Sequence, residues 1–212
     1  VIVSARVSVE QRRKDLVEAA FRTMEQLGIA RATTRAICAE AGVHQSVFHY
    51  CFHSKKELYQ ELVRVICADT IDAAMTVPDL GSTAEEAVRT SMERGWAHAK
   101  ARPGRQIFAY EFTTFAMRDP ELADLAAWQY QQSFEQTERL LLAIAAAADI
   151  EWSIPLPVLS RMMTSAMDGL LLGWLADRDD QAAEAGISHF ADYFVSLTRP
   201  RTSSPRSAES LR

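Results

Sequence analysis

The 212 residues include only eight Gly, seven Pro and three Cys, and no run free of Asp, Glu, Lys and Arg is longer than Ala41 to Ser54. Each shortage closes off a class of protein. So little Gly and Pro excludes a collagenous or linker-dominated chain. Charged residues at 24% beside 48% apolar residues argue for a folded core rather than disorder. The charge-free run is shorter than the roughly 18 residues a membrane span needs, so no membrane partner is expected. Cys38, Cys51 and Cys67 are an odd number at irregular spacing, which is no disulfide framework and reads as reduced, buried thiols. The first residues, Val-Ile-Val-Ser-Ala-Arg, show no extended apolar stretch of an export signal, and a cytoplasmic protein is the expectation.

Catalytic signatures are missing as well. There is no P-loop, no Gly-x-Gly-x-x-Gly and no Gly-x-Ser-x-Gly. No Glu has a His three residues on, as a di-iron carboxylate bundle requires. The sequence therefore predicts neither an enzyme nor a cofactor. His44, His49 and His53 lie near Cys51, but Cys51 and Phe52 are expected to point inward, and no metal site is read there.

What is present is helical periodicity. Apolar residues recur at three and four over nearly every long stretch, and no segment alternates as a solvent-facing strand does. The first helix is predicted from Ser8, with Gln11 in capping-box position, through Leu16, Ala20, Met24 and Leu27 to Gly28. A short helix capped by Thr33 or Thr34 ends at Gly42, and another follows over about Gln45 to Cys51. Ser54 with Glu57 opens a long helix toward Val77, and Ser82 with Glu85 opens the next, which runs to Ala101 and is closed by Arg102-Pro103-Gly104. Further helices are expected over 106–117, 121–148, from Pro155 and Pro157 to Ala176, and over 180–198.

Net charge is −5, but its distribution says more: residues 1–61 carry a net of +2 and the remaining 151 a net of −7. A mildly basic head is joined to an acidic body. Within the head, a capped helix, a Gly turn and a second short helix pack steeply only where small residues meet, and Ala36, Ala39 and Ala41 are the candidates. Such a unit projects the start of its second helix, here His44, Gln45 and Ser46, all able to hydrogen-bond base edges. Tyr50, Lys55 and Lys56 lie close by. Lys55 falls in a helix's first turn, where orphan amides favour a phosphate oxygen and a lysine does not favour the helix.

Thr33 to Leu58 resembles the DNA-binding signature of the TetR family of bacterial transcriptional regulators. The Thr at the second-helix cap, Ile37, Ala41-Gly42-Val43, Phe52, Ser54-Lys55 and Glu57-Leu58 fall at that family's spacing, and the likeness covers about residues 8–62. His49 stands where the family usually has a phosphate-contacting Tyr. The resemblance implies an all-α fold of about nine helices: a helix-turn-helix domain over 1–62, a ligand-binding and dimerisation domain over 63–198, and a mobile tail over 199–212. It also implies double-stranded operator DNA, a small-molecule effector and a homodimer as partners. On that reading the DNA-contacting candidates are Thr33, Thr34, Arg35, His44, Gln45, Ser46, His49, Tyr50 and Lys55.

The effector candidates are Trp96, Phe108, Phe112, Phe115, Trp128, Met163, Met167 and Trp174. Few charged residues (Arg105, Glu111, Asp168) fall among these aromatic positions, so a largely apolar effector is expected. The apolar excess of the last two helices marks Met162, Leu170, Leu171, Ile187, Phe190 and Phe194 as the dimer interface. The function implied is repression relieved by the effector. A TetR-like activator and a helical protein-interaction module without DNA binding are the alternatives.

Overall fold

Ser8 accepts a hydrogen bond from the Gln11 amide and opens α1 (Val9–Leu27), whose Leu16, Val17, Ala20, Phe21 and Met24 are buried on one stripe. The structure, a computed structural model, describes residues 8–74 and 81–201. After a 3-10 turn at Ile29–Arg31 come α2 (Thr34–Glu40), α3 (Gln45–Cys51), α4 (Lys55–Ala74), α5 (Ala84–Ala101), α6 (Pro103–Ala116) and α7 (Ala123–Ala147). Then follow β1 (Ile150–Trp152), α8 (Leu156–Asp177), α9 (Asp180–Ser196) and β2 (Thr198–Pro200). The described residues thus form an all-α fold with one added ribbon. The expected continuation of α4 to Val77 and the Pro78 break lie outside the described residues.

Several local expectations are corrected. Thr33 is the α2 cap, accepting from the Ala36 amide. Thr83, not Ser82, caps α5, with Glu86 closing the box; Ser82–Thr83 and Glu85–Glu86 are adjacent pairs, so the sequence pattern fits both registers. Pro103 opens α6 rather than closing α5, because its missing N–H costs nothing in a first turn. Residues 199–201, expected in the mobile tail, are ordered: β2 pairs antiparallel with β1, setting Ile150 opposite Pro200 and Trp152 opposite Thr198. Strands of three residues are too short to show a two-residue period in sequence. Residues 202–212 lie outside the described residues.

Two cores organise the chain. The first gathers α1 to α4 and takes in Phe108, Phe112 and Ala116 of α6 with Leu122, Leu125 and Ala126 around the start of α7. The second is built from α5, the later part of α7, α8 and α9. At Gly186 on α9 an added Cβ would come within 2.6 Å of a Leu170 methyl on α8, so the missing side chain lets these helices pack closely.

One side chain fixes the first core at the end that carries α3. Arg13 on α1 donates to the Cys51 carbonyl at the end of α3 and to Glu57 Oε1 on α4 at 2.8 Å, with its guanidinium 4.2 Å from the Phe52 ring centroid. Glu57 in turn accepts the His53 amide at 2.8 Å. The Arg13 bond, then the His53 amide, hold the Glu57 carboxyl below its ordinary value. A depressed carboxyl stabilises the fold above its unfolded value and loses that contribution as pH falls through its folded value. Arg13→Ala is expected to destabilise the chain by about 1–3 kcal/mol in urea denaturation at neutral pH. The deficit should shrink as pH falls below the ordinary carboxylate value, its Glu57 part vanishing once pH has passed the lower folded value of Glu57.

Candidate DNA-binding face and ligand cavity

Gly42, at φ +65°, lies in the left-handed region that lets the chain reverse between α2 and α3. The hinge packs through Ile37 and Cys38 against Phe48, Cys51 and Phe52, all at 5% exposure or less. Of the small residues expected at this contact, Ala41 packs half-buried against the same core, Ala36 is half-buried and Ala39 is exposed. Burial makes the Cys38 and Cys51 thiols harder to ionise. Among the described residues no group of His, Cys, Asp and Glu is placed to hold a metal ion.

With Phe48 and Cys51 inward, α3 and its cap turn His44, Gln45, Ser46, His49 and Tyr50 to solvent, Tyr50 at 72% exposure. That face is polar and free of acids. Its first residue has a second duty: His44 is the α3 N-cap, Nδ1 accepting the Ser46 amide at 3.3 Å. An accepting Nδ1 leaves the ring proton on Nε2, a donor still available to a base or phosphate. Gln45 Nε2 stands 3.5 Å from Thr34 Oγ1, linking the two helices. Thr33 and Arg35 are exposed at the start of α2, and Thr34 is half-buried.

The two adjacent lysines differ. Lys56 is used within the chain, donating to both Asp124 oxygens at 2.8 and 3.0 Å and to the Glu121 carbonyl. Lys55, in the first turn of α4, makes no ion pair among the described residues. It lies 5.3 Å from the Tyr59 ring centroid, and burial lowers its pKa.

A cavity of about 170 Å³ opens between α4, α5, α6, α7 and α8. Of the expected effector residues it takes Trp96, Met163 and Met167. The others lie elsewhere. Phe108 and Phe112 belong to the first core, packed on Phe21 and Tyr59, while Phe115 and Trp128 pack against its edge. Trp174 is held in the second core by an edge contact with Trp96 and by donating to Asp180 Oδ1 at 2.7 Å. Aromatic letters on a helix face signal burial, and burial against a neighbouring helix reads the same as burial against a ligand.

The polar part of this wall was not among the expected effector residues, although Asp168 is one of the few charges near them in sequence. Tyr110, Tyr130, Ser91, Gln106 and Asp168 all line the cavity. A signal was present at Asp168, an acid set between Met167 and the Gly169-Leu170-Leu171-Leu172 run of α8. Burial raises the Asp168 carboxyl above its ordinary value, opposed by hydrogen bonds from Tyr130 and Tyr110.

The expected dimer residues also divide. Leu171, Ile187 and Phe194 are buried within the protomer at 7%, 2% and 1% exposure, Leu171 against the cavity, and so are not a free face. Met162, Leu170 and Phe190 are half-buried against the second core. The exposed apolar residues of α8 and α9 are Val158, Leu172 and Tyr193, at 50%, 53% and 47% exposure. An α8 apolar on nearly all sides hides which stripe meets its own protomer.

Residues 16–62 match the family described as bacterial regulatory proteins, tetR family, and residues 79–196 match that described as Tetracyclin repressor-like, C-terminal domain. The chain is 27% identical over 190 residues to the HTH-type nicotine-responsive transcriptional repressor HdnoR of Paenarthrobacter nicotinovorans, covering 90% of this chain and 97% of that protein. It is 27% identical over 135 residues to the HTH-type transcriptional regulator BetI of Stenotrophomonas maltophilia, covering 61% of this chain and 69% of that one. Among solved structures, a TetR transcription regulator from Haloarcula marismortui is similar at a TM-score of 0.67 and 13% identity, over 90% of this chain and 100% of that one. The fatty acid degradation regulator FadR from Bacillus halodurans is similar at 0.68 and 13% identity, over 90% and 97%. Likeness at that identity speaks for the fold.

The cap at His44 is separable from any contact with DNA. His44→Ala is expected to cost about 0.5–1 kcal/mol in urea denaturation without DNA, and His44→Asn, which keeps an acceptor at the cap, to cost little. Equal losses in both variants would remove the capping role.

Proposed function

The chain belongs to the tetR family of bacterial regulatory proteins, and we propose that it represses transcription as a homodimer released from its operator by a small molecule in the cavity. It is a transcriptional regulator; repressor rather than activator follows the relative named as a repressor. The observation that carries DNA binding is the face of α3: five polar residues and no acid turned outward over a sealed apolar underside. Gln45 and Ser46 are offered to base edges, with His44 through its Nε2, while His49, Tyr50, Lys55 and Arg35 are offered to the backbone. Thr33 serves chiefly as a cap. The DNA such a protein binds lies in the cytoplasm, and among the described residues no helix is long and apolar enough to cross a membrane.

One head of net charge +2 reads only a few base pairs, so two are needed. Val158 and Leu172 lie on one stripe of α8 that also carries Gly169 and Gly173, where an added Cβ would meet nothing within 4 Å of this protomer. Tyr193 continues the apolar surface on α9. Two copies packed along these helices bury a four-helix seam and set their recognition helices about 34–36 Å apart, one turn of B-DNA.

The cavity acts on that spacing through two helices. Val63, Ile66 and Cys67 of α4 line it, and Ile66 is only about 16 Å along the helix from Lys55. Gln106 of α6 lines it too, one residue from Arg105, which bonds Glu18 of α1 at 2.7 Å. An effector that favours a different tilt of α4 and α6 moves the head. A coupling of about 1–3 kcal/mol weakens operator binding roughly 5- to 150-fold. The relative named as nicotine-responsive supports a small organic effector.

Two measurements test the reading. In a mobility-shift assay with DNA flanking the coding region, Lys55→Ala is expected to weaken binding to every sequence and flatten the salt slope by about one unit; an unchanged slope removes the phosphate role. In sedimentation at micromolar concentration, Leu172→Arg is expected to give monomers that no longer hold the operator. A dimer that survives would put the seam elsewhere.

A further inference from the structure

We infer that the cavity takes a small organic cation, a protonated amine on a compact ring-bearing body, whose charge is met by the Asp168 carboxylate. The inference rests on reading the cavity as the effector site and names the chemistry that site would accept.

Among the described residues Asp168 is the only acid in the cavity wall, and no Lys, Arg or His lines it. A carboxylate in a low-dielectric enclosure is stabilised by donors and, far more, by an opposite charge. The donors are there. The Tyr110 hydroxyl on α6 donates to the Asp168 main-chain carbonyl at 3.1 Å, and Tyr130 on α7 hydrogen-bonds the carboxyl. The opposite charge is not. Burial first, then Asp168 itself, pushes Tyr130 up to about 12 and Tyr110 higher still, so both stay neutral O–H groups. Cys67 on α4 is also driven up by burial and stays a neutral thiol. Among the described residues the groups facing the carboxylate are neutral, and none of them cancels its charge. The rings of Tyr110, Tyr130 and Trp96 stand in the same wall, and aromatic faces attract cations.

A second observation sets the rest of the ligand. Trp96 Nε1 and Ser91 Oγ, both on α5 and both in the cavity wall, are buried at 4% and 2% exposure with no hydrogen-bond partner among the described residues. A buried indole N–H without an acceptor is costly, so a ligand with a hydroxyl, carbonyl or ring-nitrogen acceptor gains by supplying one. The volume limits size: an engineered cavity of about 150 Å³ holds benzene, and about 170 Å³ holds one ring with a short chain. The preferred class is therefore an amine with one ring and a second polar atom. A carboxylate of the same size meets no cation among the described residues of this wall.

Calorimetric titration of the full chain with three matched phenols separates the possibilities: tyramine, the neutral 4-propylphenol, and anionic 3-(4-hydroxyphenyl)propanoate. Tyramine is expected to bind at least tenfold tighter than 4-propylphenol, with the anion weakest. Asp168→Asn should bring tyramine to within about twofold of 4-propylphenol and leave the neutral compound unchanged. Unchanged neutral binding shows that the variant cavity is intact. Trp96→Phe and Ser91→Ala should reduce the advantage of tyramine over 2-phenylethylamine, which lacks the hydroxyl. The cation inference is overturned if 4-propylphenol or the anion equals tyramine in the wild type, if Asp168→Asn keeps the preference, or if no compound binds. A mobility-shift assay on the same samples keeps the two readings apart. A neutral compound that binds best and releases DNA sinks the cation but spares the effector site. Tyramine bound through Asp168 with DNA retention unchanged spares the cation and sinks the regulatory role of the cavity.

Discussion

The head is held to the body by four aromatic rings. Phe21 of α1 meets Phe108 of α6 edge-on at 5.6 Å, Phe108 stacks on Phe112 at 5.8 Å, and Phe112 meets Tyr59 of α4 at 5.2 Å. Each such pair contributes about 0.5–1.5 kcal/mol beyond the area it removes from water. Their joint effect is geometric as much as energetic. Because close-packed rings do not deform gradually, α1, α4 and α6 keep one mutual arrangement over a range of small disturbances. On the proposed function, a change in the body then reaches α3 as a movement of the whole head.

This joint explains what could and could not be read from the letters. The α2–Gly42–α3 unit is short-range: a cap at Thr33, a left-handed Gly and two inward residues, Phe48 and Cys51, decide which side chains face out, all within about twenty residues. Sequence patterns carry such information well. Phe108 and Phe112, by contrast, were expected at the effector, and their partners Phe21 and Tyr59 are distant in sequence. Periodicity says that a face is covered and is silent about what covers it. The same ambiguity put Ile187 and Phe194 at a subunit contact when α9 uses them to pack within its own protomer.

Charge behaves differently from apolarity in this respect. An Asp flanked by apolar residues is informative because burying an acid is costly, so Asp168 stands out in sequence in a way that Met163 does not. Lys55 and Lys56 show the limit of such reasoning. Both are basic, adjacent and at the start of one helix, yet only Lys56 finds an acid, Asp124, across the joint with α7. Which lysine is engaged depends on where α7 begins, a fact of tertiary structure.

The small ribbon of β1 and β2 has a consequence for the last two helices. It fastens the segment leaving α9 to the segment entering α8, with Arg201 reinforcing it through Asp149 at 3.3 Å. At the far end the left-handed turn at Arg178 and the Trp174–Asp180 bond join the same helices. The hairpin of α8 and α9 is therefore buckled at both extremities, like a slat riveted top and bottom. Splaying would break one fastening or the other, so this pair forms a stiff chassis and compliance is left to the helices that face it.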